Sequence, residues 1–221
     1  MIVSVCVVAY NEEKVLGNLL NDIKAQDYEH SKIEVVLIDS MSTDHTKDIM
    51  RDFQQQTSDD FKKIQVLENL KKKQASGWNV AIRNFSGDVM IRVDAHASIP
   101  PEFVRKNVEI LESGEMVSGG PRPNMIDEST PWKETLLLAE QSMFGSSMAS
   151  YRRSQKKQYV KSLFHGAYRR EVLEKVNGFD EQLGRTEDNE FHYRIRQAGY
   201  QIVIHRKLYH TSMPEVHFRV C

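Results

Sequence analysis

The sequence predicts an α/β fold: a mostly parallel central sheet flanked by helices, followed by a less regular second half. Two patterns carry that prediction. Apolar, β-branched runs alternate with stretches of helical periodicity as far as the helix after Pro100-Pro101, the rhythm of strand–helix crossover units. The first run is apolar almost throughout, as a central strand covered on both faces requires.

That strand is Ile2 to Val8, and a helix follows from about Glu12, with Val15, Leu16, Leu19, Leu20 and Ile23 on one face. The second strand is Ile33 to Ile38, ending in Asp39-Ser40. Ser42-Thr43-Asp44 then offers an N-cap for a helix that buries Ile49, Met50 and Phe53. A third strand, Ile64 to Leu67, leads through Lys71-Lys72-Lys73 into a helix with Trp78, Ile82 and Phe85. Ser86-Gly87-Asp88 turns the chain into the strand Val89 to Val93, which ends in Asp94-Ala95-His96. Pro100-Pro101 opens the next helix, where first-turn amides lack partners anyway.

In the second half, Met116 to Gly119 reads as a strand running into a turn, and residues 131–148 as a helix carrying Leu136, Leu137, Leu138 and Met143. Residues 151–161 are polar and basic without periodicity, which predicts a loop. A strand near Val160 to Phe164, a short helix to Val176 and a stop at Gly178 follow. The helix Glu187 to Ala198, anchored by Phe191, Tyr193, Ile195 and Arg196, closes at Gly199. Ile202 to Ile204 is the last strand. Trp78 and Trp132 read as core or helix-packing residues.

The length, 221 residues, suits a single domain with elaborations, divided near residue 99 into a regular half and an irregular one. With 28% charged and 40% hydrophobic residues, the chain is not of disordered composition. A net charge of -1 gives no basic field for nucleic acid. Two cysteines, Cys6 and Cys221, make no disulfide framework and fit a reducing compartment. No apolar stretch approaches the about 20 residues of a membrane span. The apolar start runs at once into Asn11-Glu12-Glu13 without a basic leader, so it reads as a buried strand rather than a signal peptide. A cytoplasmic protein is expected.

Ligands of open parallel sheets sit beyond the carboxyl ends of the strands. Here those ends carry Ala9-Tyr10-Asn11-Glu12, Asp39-Ser40 and Asp94-Ala95-His96. Tyr10 could stack on a nucleobase while Asp39 accepts from a ring N–H or a ribose hydroxyl, although Asp and Asn also simply end strands. Asp94 and His96, two residues apart on an extended segment, point the same way and could bind Mg²⁺ or Mn²⁺, phosphate oxygens completing the shell. No GxGxxG follows the first strand, and GxxxxGK[ST] and GxSxG are missing. Dinucleotide oxidoreductases, P-loop NTPases and elbow hydrolases are therefore disfavoured. Arg152, Arg153, Lys156 and Lys157 could neutralise phosphates or simply form a solvated loop. Glu187, Asp188 and Glu190 crowd the first turn of their helix, more acid than the dipole needs. Asp188, with Glu187 beside it, is the candidate to take a proton from a hydroxyl.

Six segments carry a resemblance in order over almost the whole chain. They are Val7 to Glu13, Val36 to Ser40 with Ser42-Thr43-Asp44, Ile91 to His96, Phe164 to Arg170, Gly178-Phe179-Asp180-Glu181, and Thr186 to Glu190. The chain resembles an inverting family 2 glycosyltransferase of the GT-A fold, closest to the succinoglycan-type polysaccharide-biosynthesis subgroup. The resemblance implies residues 1–99 as the nucleotide-sugar half and 100–221 as the acceptor half, a uridine diphosphate sugar as donor, and a saccharide or lipid-linked acceptor. It implies that Ala9, Tyr10, Glu12 and Asp39 hold the nucleoside and that Asp94 meets the metal-bound diphosphate. Asp188 would be the base, while His165, Arg152 and Arg153 fall on the acceptor or phosphate side. The family's Asp-x-Asp is Asp94-Ala95-His96 here. The chain ends at Val216 to Cys221, before the Trp-containing segment and membrane helices of many members, which reads as a truncation or a compact member. Peripheral attachment to the inner face of a membrane and oligomerisation stay open. A catalytically silent nucleotide-binding or assembly module of the same fold is the competing reading. Nucleotidyl transfer lacks its Gly-rich entry loop.

Overall fold

The computed structural model describes residues 1–120, 130, 135, 158–184 and 186–204. Strands β1 (Val3–Ala9), β2 (Ile33–Asp39), β3 (Lys63–Glu68) and β4 (Val89–Asp94) alternate with helices α1 (Leu16–Lys24), α2 (Thr46–Thr57) and α3 (Gln74–Asn84). Next come α4 (Phe103–Glu112), β5 (Val117–Gly119), β6 (Gln158–Val160), β7 (Gly166–Arg169), α5 (Arg170–Val176), α6 (Glu187–Gln197) and β8 (Ile202–Ile204). The strands form one sheet in the order β3-β2-β1-β4-β7-β5-β8-β6.

The first four strands are mutually parallel, so their carboxyl ends share a rim: Ala9 lies opposite Asp39, and Val8 opposite Asp94. Beyond β4 the sheet is mixed. β7 runs antiparallel to both β4 and β5, β5 pairs parallel with β8, and β6 closes the edge antiparallel to β8.

Strand alternation sends side chains to two faces. On one, Val3, Val5, Val7, Val35 and Leu37 pack against Leu16, Leu19 and Ile23 of α1, Met50 of α2 and Phe103 of α4. On the other, Cys6, Val36 and Ile38 meet Trp78 of α3, Val172 and Leu173 of α5, and Phe191 and Ile195 of α6. Each large apolar side chain removed from water contributes roughly 1.5–3 kcal/mol. Burial also pushes the Cys6 thiol up, away from the reactive thiolate.

At the end of the sheet opposite the rim, Glu34 is fully buried. It accepts from Ser4 Oγ, from Gln65 Nε2 at 3.0 Å, and from Ser86 N and Oγ at 2.7 and 3.0 Å. This carboxylate ties β1, β2, β3 and the turn before β4 together.

Some elements differ from the pattern-based expectation. α1 begins at Leu16 rather than Glu12 because the Glu12 and Glu13 amides donate to Thr46 Oγ1 and Asp44 Oδ2 of the neighbouring loop. α4 begins at Phe103, and the side chain of Gln26 from beyond α1 caps it, accepting from Val104 N and donating to Pro100 O. Residues 158–160, expected in a loop, pair with β8, and the strand expected over 160–164 lies instead at Gly166–Arg169. Gly166 suits that place because a Cβ there would stand 2.4 Å from Tyr168 Oη. Tyr193, expected as an anchor of α6, is 52% exposed; Phe191 and Ile195 do the anchoring. The helix expected over 131–148, with Trp132, lies outside the described residues apart from Thr135, as do Arg152, Arg153, Lys156 and Lys157.

Candidate active site

The rim is built from loops stitched to one another. Asn11 Oδ1 accepts from Thr43 N at 2.8 Å while Asn11 N donates to Ser42 Oγ at 3.0 Å, joining the loops after β1 and β2. Asn69 donates to Ser40 Oγ at 3.0 Å and accepts from Ser76 Oγ at 2.7 Å, adding the segment after β3 and the start of α3. The N-cap of α2 is His45 rather than a residue of Ser42-Thr43-Asp44, which instead ties the loops together, with Asp44 Oδ1 accepting from Thr46 N at 3.0 Å. Of the five described non-glycine residues with left-handed backbone, Asn177 (φ 58°) ends α5, Asn11 (φ 56°), Met41 (φ 62°) and Lys72 (φ 60°) follow the first three strands, and Thr186 (φ 67°) precedes α6. A β-branched residue there is sterically costly.

Ala9 is buried at the end of β1, and Tyr10 beside it is 51% exposed, with its ring available as a platform. Asp39 is 1% exposed, and its carboxylate accepts from Ser42 N at 3.2 and 3.3 Å. Glu12 pairs with His96, Oε1 to Nδ1 at 3.3 Å, linking the loops after β1 and β4.

Asp94, near His96 on this rim, also reaches the second half of the chain. Its Oδ2 lies 3.1 Å from His165 Nε2. Burial alone pushes this carboxyl up, but the hydrogen bond and charge of His165, with Arg92 and His96, outweigh it and hold Asp94 well below the usual carboxylate range. Asp188, in the first turn of α6, reaches the same cluster. Arg92 of β4 grips both its oxygens, Nη1 on Oδ1 and Nη2 on Oδ2, the latter at 3.0 Å. Arg92 Nη2 is also 3.8 Å from Asp94 Oδ1. Asp188 stays 25% exposed, so part of it faces solvent. Glu187 beside it is half-buried, and its side chain makes no hydrogen bond or ion pair among the described residues.

Behind this cluster His192 is fully buried, with Tyr168 Oη 2.8 Å from Nε2 and Ser162 Oγ 2.9 Å from Nδ1. Burial pulls the imidazole down to about 4, Asp188 opposing and Arg92 and Arg196 assisting. The Tyr168 phenol is pushed well up, chiefly by burial. The sequence patterns assign no role to Arg92, Tyr168 or His192. Arg92 had a signal, a lone charge in an apolar central strand; His192 and Tyr168 had none short of the fold.

Among the described residues no group of three or more His, Cys, Asp or Glu stands ready to hold a metal. The acids and histidines of the rim form couples instead, Glu12 with His96 and Asp94 with His165. One firmly ionised carboxylate of this kind suits Mg²⁺ or Mn²⁺, which take one or two protein carboxylates and fill the remaining positions with phosphate and water. No helix among the described residues is long and apolar enough to cross a membrane.

Residues 4–176 match the sequence profile of glycosyl transferase family 2. The chain belongs to that family. This family 2 chain is 29% identical over 170 residues to the succinoglycan biosynthesis protein ExoA of Rhizobium meliloti (strain 1021), covering 76% of the chain and 50% of ExoA. It is 25% identical over 206 residues to a dolichyl N-acetyl-α-D-glucosaminyl phosphate diacetamido-dideoxy-glucuronosyltransferase of Methanococcus voltae, covering 90% of the chain and 63% of the relative. The family 2 chain thus spans between half and two-thirds of the length of these relatives. Its backbone superposes on S. aureus TarS 1–349 in complex with UDP with a TM-score of 0.70 at 20% identity, covering 92% of the chain and 57% of TarS. It superposes on the mannosyltransferase PcManGT of Pyrobaculum calidifontis, in complex with GDP-Man and Mn²⁺, with a TM-score of 0.67 at 23% identity, covering 93% of the chain and 56% of that protein. The fold is GT-A, as the motifs implied.

Proposed function

We propose that the chain transfers a sugar from a nucleoside diphosphate donor, a UDP-sugar, to a saccharide or lipid-linked acceptor of polysaccharide biosynthesis, with inversion at the anomeric carbon. The observation that supports it best is the meeting of Asp94 and Asp188, from opposite halves of the chain, at one guanidinium on the carboxyl rim of the sheet. Family membership and the nucleotide complexes of TarS and PcManGT support the donor class.

In this reading, Ala9, Tyr10, Glu12 and Asp39 hold the nucleoside, and the stitched loops keep them in place. Asp94, with His96, would hold the divalent cation, Mn²⁺ or Mg²⁺, with the diphosphate. When bound, that cation neutralises the charge that grows on the departing diphosphate. His165 stands on the phosphate side, next to Asp94. Residues 1–99 bind the donor and residues 100–221 meet the acceptor at the cytoplasmic face of a membrane.

The acceptor oxygen attacks the anomeric carbon from the face opposite the diphosphate. The carbon–oxygen bond to the β-phosphate breaks, its electron pair leaving with the nucleoside diphosphate. Asp188 takes the hydroxyl proton, and Glu187 stands beside it. A base held by a rigid helix and within hydrogen-bond reach is what such a transfer needs.

The test is a panel of UDP-N-acetylglucosamine, UDP-glucose, UDP-galactose and GDP-mannose, each with Mn²⁺ or with chelator. Melting temperature and release of nucleoside diphosphate are followed. The expected result is a rise in melting temperature with UDP and Mn²⁺ and release from at least one UDP-sugar. Binding without release in the presence of oligosaccharide and polyprenyl-phosphate acceptors would favour a silent nucleotide-binding module, and pyrophosphate as product would point to nucleotidyl transfer.

A further inference from the structure

We propose that Arg92 is a positioning residue for the transfer reaction. Its buried guanidinium fixes the carboxylates of Asp94 and Asp188 relative to each other, so that the donor-side acid and the base share one support. The inference rests on the function proposed above.

Arg92 is 1% exposed, the only arginine of the described residues so deeply covered. The guanidinium carbon lies 4.6 Å from the ring centroid of Trp78 and 5.6 Å from that of Phe179. Phe179 stacks in turn on Phe191 at 4.0 Å, one turn along α6 from Asp188. Backbone, guanidinium and the helix bearing Asp188 are therefore packed as one unit.

Stability is a weak reason for such a residue. An ion pair under an apolar roof costs desolvation, and apolar side chains of similar volume commonly serve a core as well or better. Arg92 Nε is buried with no hydrogen-bond partner, a further penalty that a purely structural side chain would avoid. The arrangement does something else. Two carboxylates on one rim repel each other, and a single cation hydrogen-bonded to Asp188 and 3.8 Å from Asp94 lets them stay close while ionised. The planar fork sets the plane of the Asp188 carboxylate, leaving its solvent-facing part for an incoming hydroxyl. A lysine carries the same charge but cannot grip two oxygens in one plane.

Arg92→Lys separates charge from geometry. Asp188→Asn serves as the reference, and rates are expressed per nucleotide-binding site, titrated with UDP and Mn²⁺. The rate is UDP release from whichever UDP-sugar of the panel reacts fastest. Arg92→Lys is expected to bind UDP with Mn²⁺ within about threefold of the wild type while kcat falls about 10²-fold, the scale of a small misplacement of a catalytic group. The donor KM should move little, because a lysine keeps a positive charge near Asp94, which Arg92 approaches only to 3.8 Å. A kcat within twofold of the wild type, or a loss confined to KM, overturns the proposal. If Arg92→Lys does not fold, Phe179→Leu loosens one wall of the guanidinium's packing; an unchanged kcat there overturns the proposal, and a fall at constant KM supports it. An Asp188→Asn enzyme as fast as the wild type defeats the function reading itself. Full loss in Asp188→Asn with full activity in Arg92→Lys defeats only the role of Arg92.

Discussion

His165 Nε2 lies 3.1 Å from Asp94 Oδ2, joining the segment before β7 to the end of β4 across 71 residues of sequence. The contact orients the acid proposed to face the diphosphate and places an imidazole beside it. His165→Ala is expected to raise the donor KM about tenfold, the equivalent of about 1.4 kcal/mol. Steady-state kinetics with varied UDP-sugar check this, and an unchanged KM would leave His165 without a donor role.

Asp188→Asn keeps the size of the side chain and one oxygen for Arg92, but cannot accept a proton. A fall in kcat of about 10³-fold is expected, with the UDP-induced rise in melting temperature retained. Comparing turnover with thermal shifts separates lost chemistry from lost binding.

The buried His192 should make stability depend on pH. Its folded value, about 4, lies below the roughly 6.5 of an exposed histidine. The unfolded chain therefore binds the extra proton between those values. The stabilisation is complete above pH 6.5 and is lost as pH falls toward 4, by at most about 3 kcal/mol. Urea unfolding of the wild type and of His192→Gln across this range checks it. The wild type should lose the larger part, and parallel curves would refute the assignment.

Glu34→Ala removes an acceptor that serves Ser4, Gln65 and Ser86 at the floor of the sheet. Buried donors left unpaired each cost about 1–3 kcal/mol, so a loss of about 3 kcal/mol is expected. Urea midpoints measure it, and kcat per folded molecule should hardly change because the rim lies at the other end of the strands.

The first half of the fold was legible because each crossover unit writes itself locally. β1 to β4 appear as largely apolar runs and α1 to α4 as apolar stripes, although α1 and α4 start later than the pattern predicts. The residues ending those strands could be read as a rim for the same reason. The second half depends on pairings with no local signature. β6 has a polar, exposed tyrosine at its centre and is a strand only because β8 lies beside it. Asp188 was singled out by its crowded acidic turn. Its grip by Arg92 was invisible, since the two residues are 96 positions apart and meet only through the sheet order.

The sheet order also sets a schedule for making the molecule. Strands β1 to β4 find all their mutual partners by residue 94, whereas β5 first pairs with β7 at residues 166–169 and β6 waits for β8 at residues 202–204. During synthesis, with chains emerging from the N-terminus onward, the four parallel strands can assemble before the far edge of the sheet has been made. That edge then closes late, through contacts distant in sequence, which are slow to form.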